Sequence, residues 1–305
     1  VFAISGFVSI AYEVVWFRML TNIGNANVYA FSGMLSTYLF GLVIGSFLCA
    51  KFIAPRKNRL LRYFAVTQFL TAVAGMLTLG LFGKAHTLVA WLSPVTTILI
   101  PDCIQDFVAG NILFFFMCVL ILLLPTTLIG ISFPLASELT VQQMGVLGRK
   151  IGMLYSFNTL GGVLGSLIAG LVLIPYLGSQ WTLILLTFAN MVLFVAVIIS
   201  QPELRSDRLL WREGAEALCV ILAAYLLFGS HYLNRQLTAF VGAEVRELRE
   251  SKEATFLVLE YQDATEGKYQ QLLVNSKSYA NNRLEGRRYM AALAHYPVLF
   301  HKNPS

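Results

Sequence analysis

Glu13 and Arg18 stand inside an otherwise apolar stretch from Phe2 to Asn22, and Asn158 interrupts a later one. Ionisable side chains in such segments are costly to place in hydrocarbon. They usually face a protein interior or a wet cavity, where they bind cations, relay protons or bond to a neighbouring helix. Glu13 is therefore a candidate proton or cation site, or a partner of an adjacent helix. Arg18 lies about 140° around a helix from Glu13, so the two are not a one-face pair. Beside Trp16 and Phe17 it reads as a cation snorkelling to the membrane interface. Pro125 and Pro134 interrupt the hydrogen bonding of another apolar run, freeing carbonyls near Thr126, Thr127 and Ser132. Such breaks either line a substrate site or form kinks satisfied by Ser and Thr hydroxyls.

The elements that would hold these residues are long apolar helices. Apolar residues make up 57% of the chain and charged residues 12%, about half the charge of an average soluble domain. A hydrocarbon core of about 30 Å needs roughly 20 apolar residues in helix. By that measure spans are expected at 2–22, 27–53, 63–83, 107–132, 151–175, 180–200 and 214–232. His86 to Pro101 is apolar but short and contains Pro94, so it is expected to be re-entrant or interfacial. The fold class is thus a mainly α, polytopic bundle of about seven spans with a lipid bilayer as partner.

The net charge of +6 is spread over three turns. Lys51, Arg56, Lys57, Arg59 and Arg62 follow the second span, Arg149 and Lys150 the fourth, and Arg205, Arg208 and Arg212 the sixth. This is the pattern of the positive-inside rule and not a nucleic-acid surface. It implies a multi-pass plasma-membrane protein of bacterial inner-membrane type, with these turns cytoplasmic and an odd span count leaving the C-terminal part outside. Tyr225 to Tyr232 is the weakest half-span; were it interfacial, that part would return inside. The four cysteines show no metal-ligand spacing, so no metal is expected. The chain opens on Val1 in a stretch already helical in character, and is expected to be part of a longer protein.

Small residues recur every four positions: Gly161, Gly165 and Ala169 on one stripe, Gly162, Ser166 and Gly170 on the next, and Gly41 with Gly45 earlier. Such stripes let helix backbones approach closely. Phe40-Gly41-Leu42-Val43-Ile44-Gly45-Ser46 resembles Leu160-Gly161-Gly162-Val163-Leu164-Gly165-Ser166. Placed in spans of opposite direction, the two suggest a three-plus-three inverted repeat.

Composition changes abruptly from Gly242 onward, with a linker expected at 233–253 and a small β-rich domain at 254–305. Ala254 to Tyr261 and Tyr269 to Asn275 read as strands, Asn275-Ser276-Lys277 as a turn, and Leu284 to Tyr296 as a helix closed by Pro297.

Ser5-Gly6-Phe7-x-Ser9-x-x-Tyr12-Glu13-Val14-Val15-Trp16-Phe17-Arg18 resembles the opening of membrane-fused spermidine synthase-like proteins, whose membrane half is major-facilitator-like. Leu124-Pro125-Thr126-Thr127-Leu128-Ile129-Gly130-x-x-Phe133-Pro134-Leu135 fits that family, as does Gly148-Arg149-x-x-Gly152-x-Leu154-Tyr155-x-x-Asn158-Thr159-Leu160-Gly161-Gly162-x-Leu164-Gly165-Ser166. The tail resembles the N-terminal β-domain of aminopropyltransferases, with Leu273-Val274-Asn275-x-Lys277-Ser278 at a strand–turn near their active site. Leu299-Phe300-His301-Lys302-Asn303-Pro304 resembles the linker into their nucleotide-binding sheet. The resemblance implies an aminopropyl donor of the decarboxylated S-adenosylmethionine type and an amine acceptor. It also implies a C-terminal nucleotide-binding domain as partner, without which residues 1–305 bind no cofactor and are expected to be inactive. Tyr279 stands where the family has Gln, and Tyr289-Met290-Ala291 where it has Tyr-His-Glu, which leaves Tyr279 and Tyr289 as the substrate-binding positions.

Overall fold

The computed structural model describes residues 2–23, 28–99, 105–142, 147–201, 204, 207–228, 232–233, 243–263 and 267–300. Arg205, Cys103, the tip of the turn at 264–266, residues 234–242 of the expected linker and His301 to Ser305 lie outside them.

The membrane part is built from α1 (Phe2–Thr21), α2 (Val28–Leu48), α3 (Leu60–Gly83), α4 (Ala85–Leu99), α5 (Gln105–Gln142), α6 (Leu147–Ile168), α7 (Ile174–Ser200) and α8 (Arg208–Phe228). A chain in lipid must satisfy its backbone within the segment, and helix does so residue by residue. Among the described residues five tracts, not the seven expected, are long and apolar enough to cross a bilayer: Phe2–Thr21, Phe31–Ile53, Lys57–Gly83, Gly110–Leu139 and Ile151–Ser200. The last covers 50 residues, about 75 Å as a straight helix and far more than one bilayer. It is broken at Gly178, whose φ of +82° and ψ of +162° suit only glycine. That break falls in the first turns of α7, just past the π-turn that ends α6. α4 has 15 residues around Pro94, too short to cross.

Contacts fix the helix directions. Gly161 and Gly165 of α6 lie against the backbone of Ala3 and Phe7 of α1, so α1 and α6 run the same way. Gly41 and Gly45 of α2 meet Thr126 and Gly130 of α5 in the same parallel sense. Ser9 to Tyr38 (3.1 Å) and Phe17 to Phe31 (5.4 Å between centroids) set α1 and α2 antiparallel. The two glycine-striped helices, α2 and α6, therefore point in opposite directions.

The internal likeness extends beyond the glycines. α2 ends in a wide π-turn at Cys49–Ile53 and α6 in one at Ala169–Leu173. These sit at the same register as the matched runs. So do the outward stripes Phe40, Val43, Phe47 and Leu160, Val163, Leu167, each at least half exposed. Exposed apolar stripes of this kind opposite a buried small-residue stripe mark a helix solvated by lipid.

Phe2 against Phe64 (5.8 Å) sets the start of α1 beside the start of α3. Arg62 and Asp207 approach to 3.6 Å at that same end. At the other end of α3, the Tyr232 hydroxyl donates to the Gly80 carbonyl at 3.2 Å. α8 therefore runs along α3 from the basic end towards the opposite one. It is absent from the five membrane-length tracts, its first half carrying Arg208, Arg212 and Glu216.

After the bundle come β1 (Glu244–Glu250), β2 (Thr255–Asp263), β3 (Gly267–Val274), β4 (Lys277–Asn281) and α9 (Leu284–Phe300). The strands form one antiparallel meander in sequence order. β1 lies in the stretch read as linker, and α9 runs to Phe300 instead of ending at Pro297. Asn275 and Ser276 both have positive φ, the geometry of a tight two-residue hairpin turn. Tyr261 and Tyr269 stack across β2 and β3 at 5.1 Å. Glu260 accepts two bonds from Arg246 (2.9 and 3.0 Å), which with nearby Lys268 hold its carboxyl down to about 2.

Candidate functional site

The bundle encloses a cavity of about 440 Å³ where α1, α2, α3, α5, α6 and α7 meet. Two buried apolar clusters border this partly open space, one reaching its wall through Val8, Tyr12 and Ile129 and the other through Ala136 and Leu154. Glu13 and Asn158, singled out in separate apolar runs, both line it. They converge because α1 and α6 pack at glycine distance: a Cβ on Gly6 would fall 2.2 Å from the Asn158 carbonyl oxygen.

Glu13 is half-buried, and it is the one carboxylate among the described lining residues, which include no His, Lys, Arg or Cys. The rest of the polar lining is neutral. Gln68 donates to the Ser132 hydroxyl at 3.2 Å, Ser9 shares a bond with Tyr38, and Tyr12 bonds Thr187 at 3.1 Å with the Asn190 amide 3.5 Å away. Gln68, Asn190, Tyr12 and Tyr38 were not foreseen as site residues. The two amides carried the same signal as Asn158, a carboxamide inside an apolar run, while the tyrosines are indistinguishable in sequence from packing residues.

At Pro134 the freed carbonyl is satisfied by a neighbouring helix. α5 continues through Pro125 and Pro134. Pro134 cannot donate to the carbonyl four residues back, and that carbonyl, on Gly130, accepts from Ser46 of α2 at 3.2 Å. Thr126 and Thr127 bond back to Leu122 and Leu123 of their own helix (2.7 Å each).

Arg18 belongs elsewhere. Its guanidinium donates to the carbonyl oxygens of Ser251 (2.5 Å) and Lys252 (3.2 Å) in the β1–β2 turn. Next to it the Ser179 N–H donates to the Glu250 carboxylate, and the Ser276 hydroxyl donates to the Asn22 carbonyl. The sheet is thus seated on the rim formed by the end of α1 and the Gly178 break, opposite the Lys51–Arg62 turn. Burial pushes the Glu250 carboxyl upward, against the opposing pull of Ser179 and Arg18. Tyr279 on β4 and Tyr289 on α9 are 70% and 63% exposed; they stand on the sheet module and are not joined to the cavity.

Among the described residues no group of three or more His, Cys, Asp or Glu is placed to hold a metal ion. Among the described lining residues the cavity presents one carboxylate among hydroxyls, amides and aromatic faces. No protein-family model matches the chain, and no curated protein or solved structure matches it.

Proposed function

We propose that the chain is the membrane module and first β-sheet of a membrane-anchored, spermidine synthase-like transferase in a bacterial inner membrane. The bundle is of the major-facilitator type, crossing seven times with α6 and α7 as separate spans and α8 as the last. In the complete protein an aminopropyl group passes from the sulfonium of a decarboxylated S-adenosylmethionine-type donor to an amine nitrogen, releasing the methylthio-nucleoside and a proton. The nucleoside site belongs to a nucleotide-binding domain partnering this sheet, and Tyr279 and Tyr289 face the amine. The observation that carries the reading is the pairing of a helical bundle with a four-stranded meander and closing helix held on its rim. The Asn275–Ser276 turn falls where the resemblance sets the edge of an active site. Incubating the complete protein with donor and a diamine is the test. Release of methylthio-nucleoside with gain of an aminopropyl group is expected, and absence of both donor binding and turnover overturns it.

A second reading, a transporter-like or anchoring module without enzymatic activity, is favoured by the cavity around Glu13 and by charge. With the basic turns cytoplasmic, the sheet sits outside, away from a cytosolic donor. A silent transferase together with Glu13-dependent uptake of a charged solute into vesicles would select it.

A further inference from the structure

We propose that the cavity at the centre of the bundle binds a small organic ammonium ion, with Glu13 as its counter-ion. The volume of about 440 Å³ lies within the range of small-molecule sites. Glu13 is the one acidic group of the described lining, which offers no cation opposite it. The Ser9–Tyr38 hydroxyl pair, one helical turn before Glu13, provides oxygen acceptors for N–H groups. Phe133 and Tyr155, edge to face at 5.9 Å, turn aromatic surface into the same space. Aromatic faces attract a desolvated ammonium and accept its hydrocarbon part. An inorganic divalent cation would need six or more oxygen ligands or a strict octahedron, which one carboxylate in a largely apolar wall does not supply.

The inference is independent of the transferase reading, because binding is measured without any nucleoside donor. The complete protein, purified in detergent, is titrated with 2-phenylethylammonium and with 2-phenylethanol, nearly the same shape without the charge. Wild type is expected to prefer the ammonium by at least roughly tenfold, about 1.4 kcal/mol. Glu13→Gln should erase that preference while keeping affinity for the alcohol, and Glu13→Asp should retain part of it. Equal affinities in wild type, or an unchanged preference in Glu13→Gln, would overturn the proposal. Should Glu13→Gln not fold, labelling of wild-type Glu13 by a hydrophobic carbodiimide gives the answer: protection by the ammonium but not the alcohol supports the site, and equal labelling rates overturn it.

Discussion

Arg18 of α1 donates to the carbonyl oxygen of Ser251 at 2.5 Å, joining residues 233 positions apart in the chain. A charge expected at the membrane interface is also the bolt between helical bundle and sheet. With Glu250 bonded to the Ser179 N–H and Ser276 to the Asn22 carbonyl, it ties the sheet to two separate helix ends. Few strand residues are fully buried within the sheet itself. A four-stranded meander with so little core draws its order from what it rests on.

Replacing Arg18 by Gln should therefore loosen the sheet and leave the bundle intact. Hydrogen bonds from a charged donor contribute about 1.5–3 kcal/mol, and partial exposure of Arg18 reduces this to about 1 kcal/mol. Hydrogen exchange should rise several-fold across Glu244 to Thr255 without a change in α1 to α3. Unchanged exchange in β1 would show that the contact does not hold the sheet.

Docking should also depend on pH through Glu250. Its carboxyl titrates above the ordinary 4.5, chiefly because it is buried. The sign follows: a raised folded-state value means that the ionised form is penalised on docking. The contribution is fully present below the ordinary carboxyl range and is lost as pH rises through the raised value. Protection of β1 from exchange, corrected for intrinsic rates, should strengthen on acidification from neutrality, and Glu250→Gln should flatten that trend. A trend of opposite sign would contradict the burial argument.

Ser46 and Pro134 should be coupled energetically. Ser46→Ala leaves the Gly130 carbonyl without the donor that proline cannot supply, at a cost of about 1 kcal/mol or more. Pro134→Ala restores a backbone donor on α5, so the cost of losing Ser46 should shrink in that background. Thermal unfolding of the four proteins of the cycle in detergent measures the coupling.

The paired glycine stripes make a graded prediction. A Cβ at Gly45 would lie 2.1 Å from the Thr127 carbonyl oxygen, and one at Gly165 2.2 Å from that of Phe7. Alanine at either position forces backbones apart, an overpacking cost of about 1–3 kcal/mol. Gly170 meets only a Val14 methyl at 3.8 Å, so Gly170→Ala should be nearly neutral. Melting temperatures in detergent should fall for the first two and hold for the third.

Much of the bundle was legible because its physics is local. Apolar run length marks α1, α2, α3 and α5, and polar residues inside such runs drew attention to Glu13 and Asn158. Their convergence was not legible, because it depends on α1 meeting α6 at backbone distance, and pairing between helices leaves only the glycine stripe as a trace. The seven-residue likeness of α2 and α6 pointed to an internal repeat, yet the matching π-turns at Cys49 and Ala169 have no sequence signature of their own. β1 was missed because Glu244-Val245-Arg246-Glu247-Leu248-Arg249-Glu250 carries five charges in seven residues. This is what an edge strand looks like when charge protects it from pairing with other chains. The partner of Arg18 was beyond reach for the same reason: it lies on that strand's turn.

The most direct measurement is the sidedness of two positions in intact cells. Lys252→Cys reports the β1–β2 turn and Asn58→Cys the basic turn before α3, each in a protein whose native cysteines are replaced by alanine. With the sheet seated on the Arg18 rim, a membrane-impermeant thiol reagent should reach one position from outside and the other only after the membrane is opened. Labelling of both from the same side would contradict the placement of the sheet at the end of the bundle opposite its basic turns.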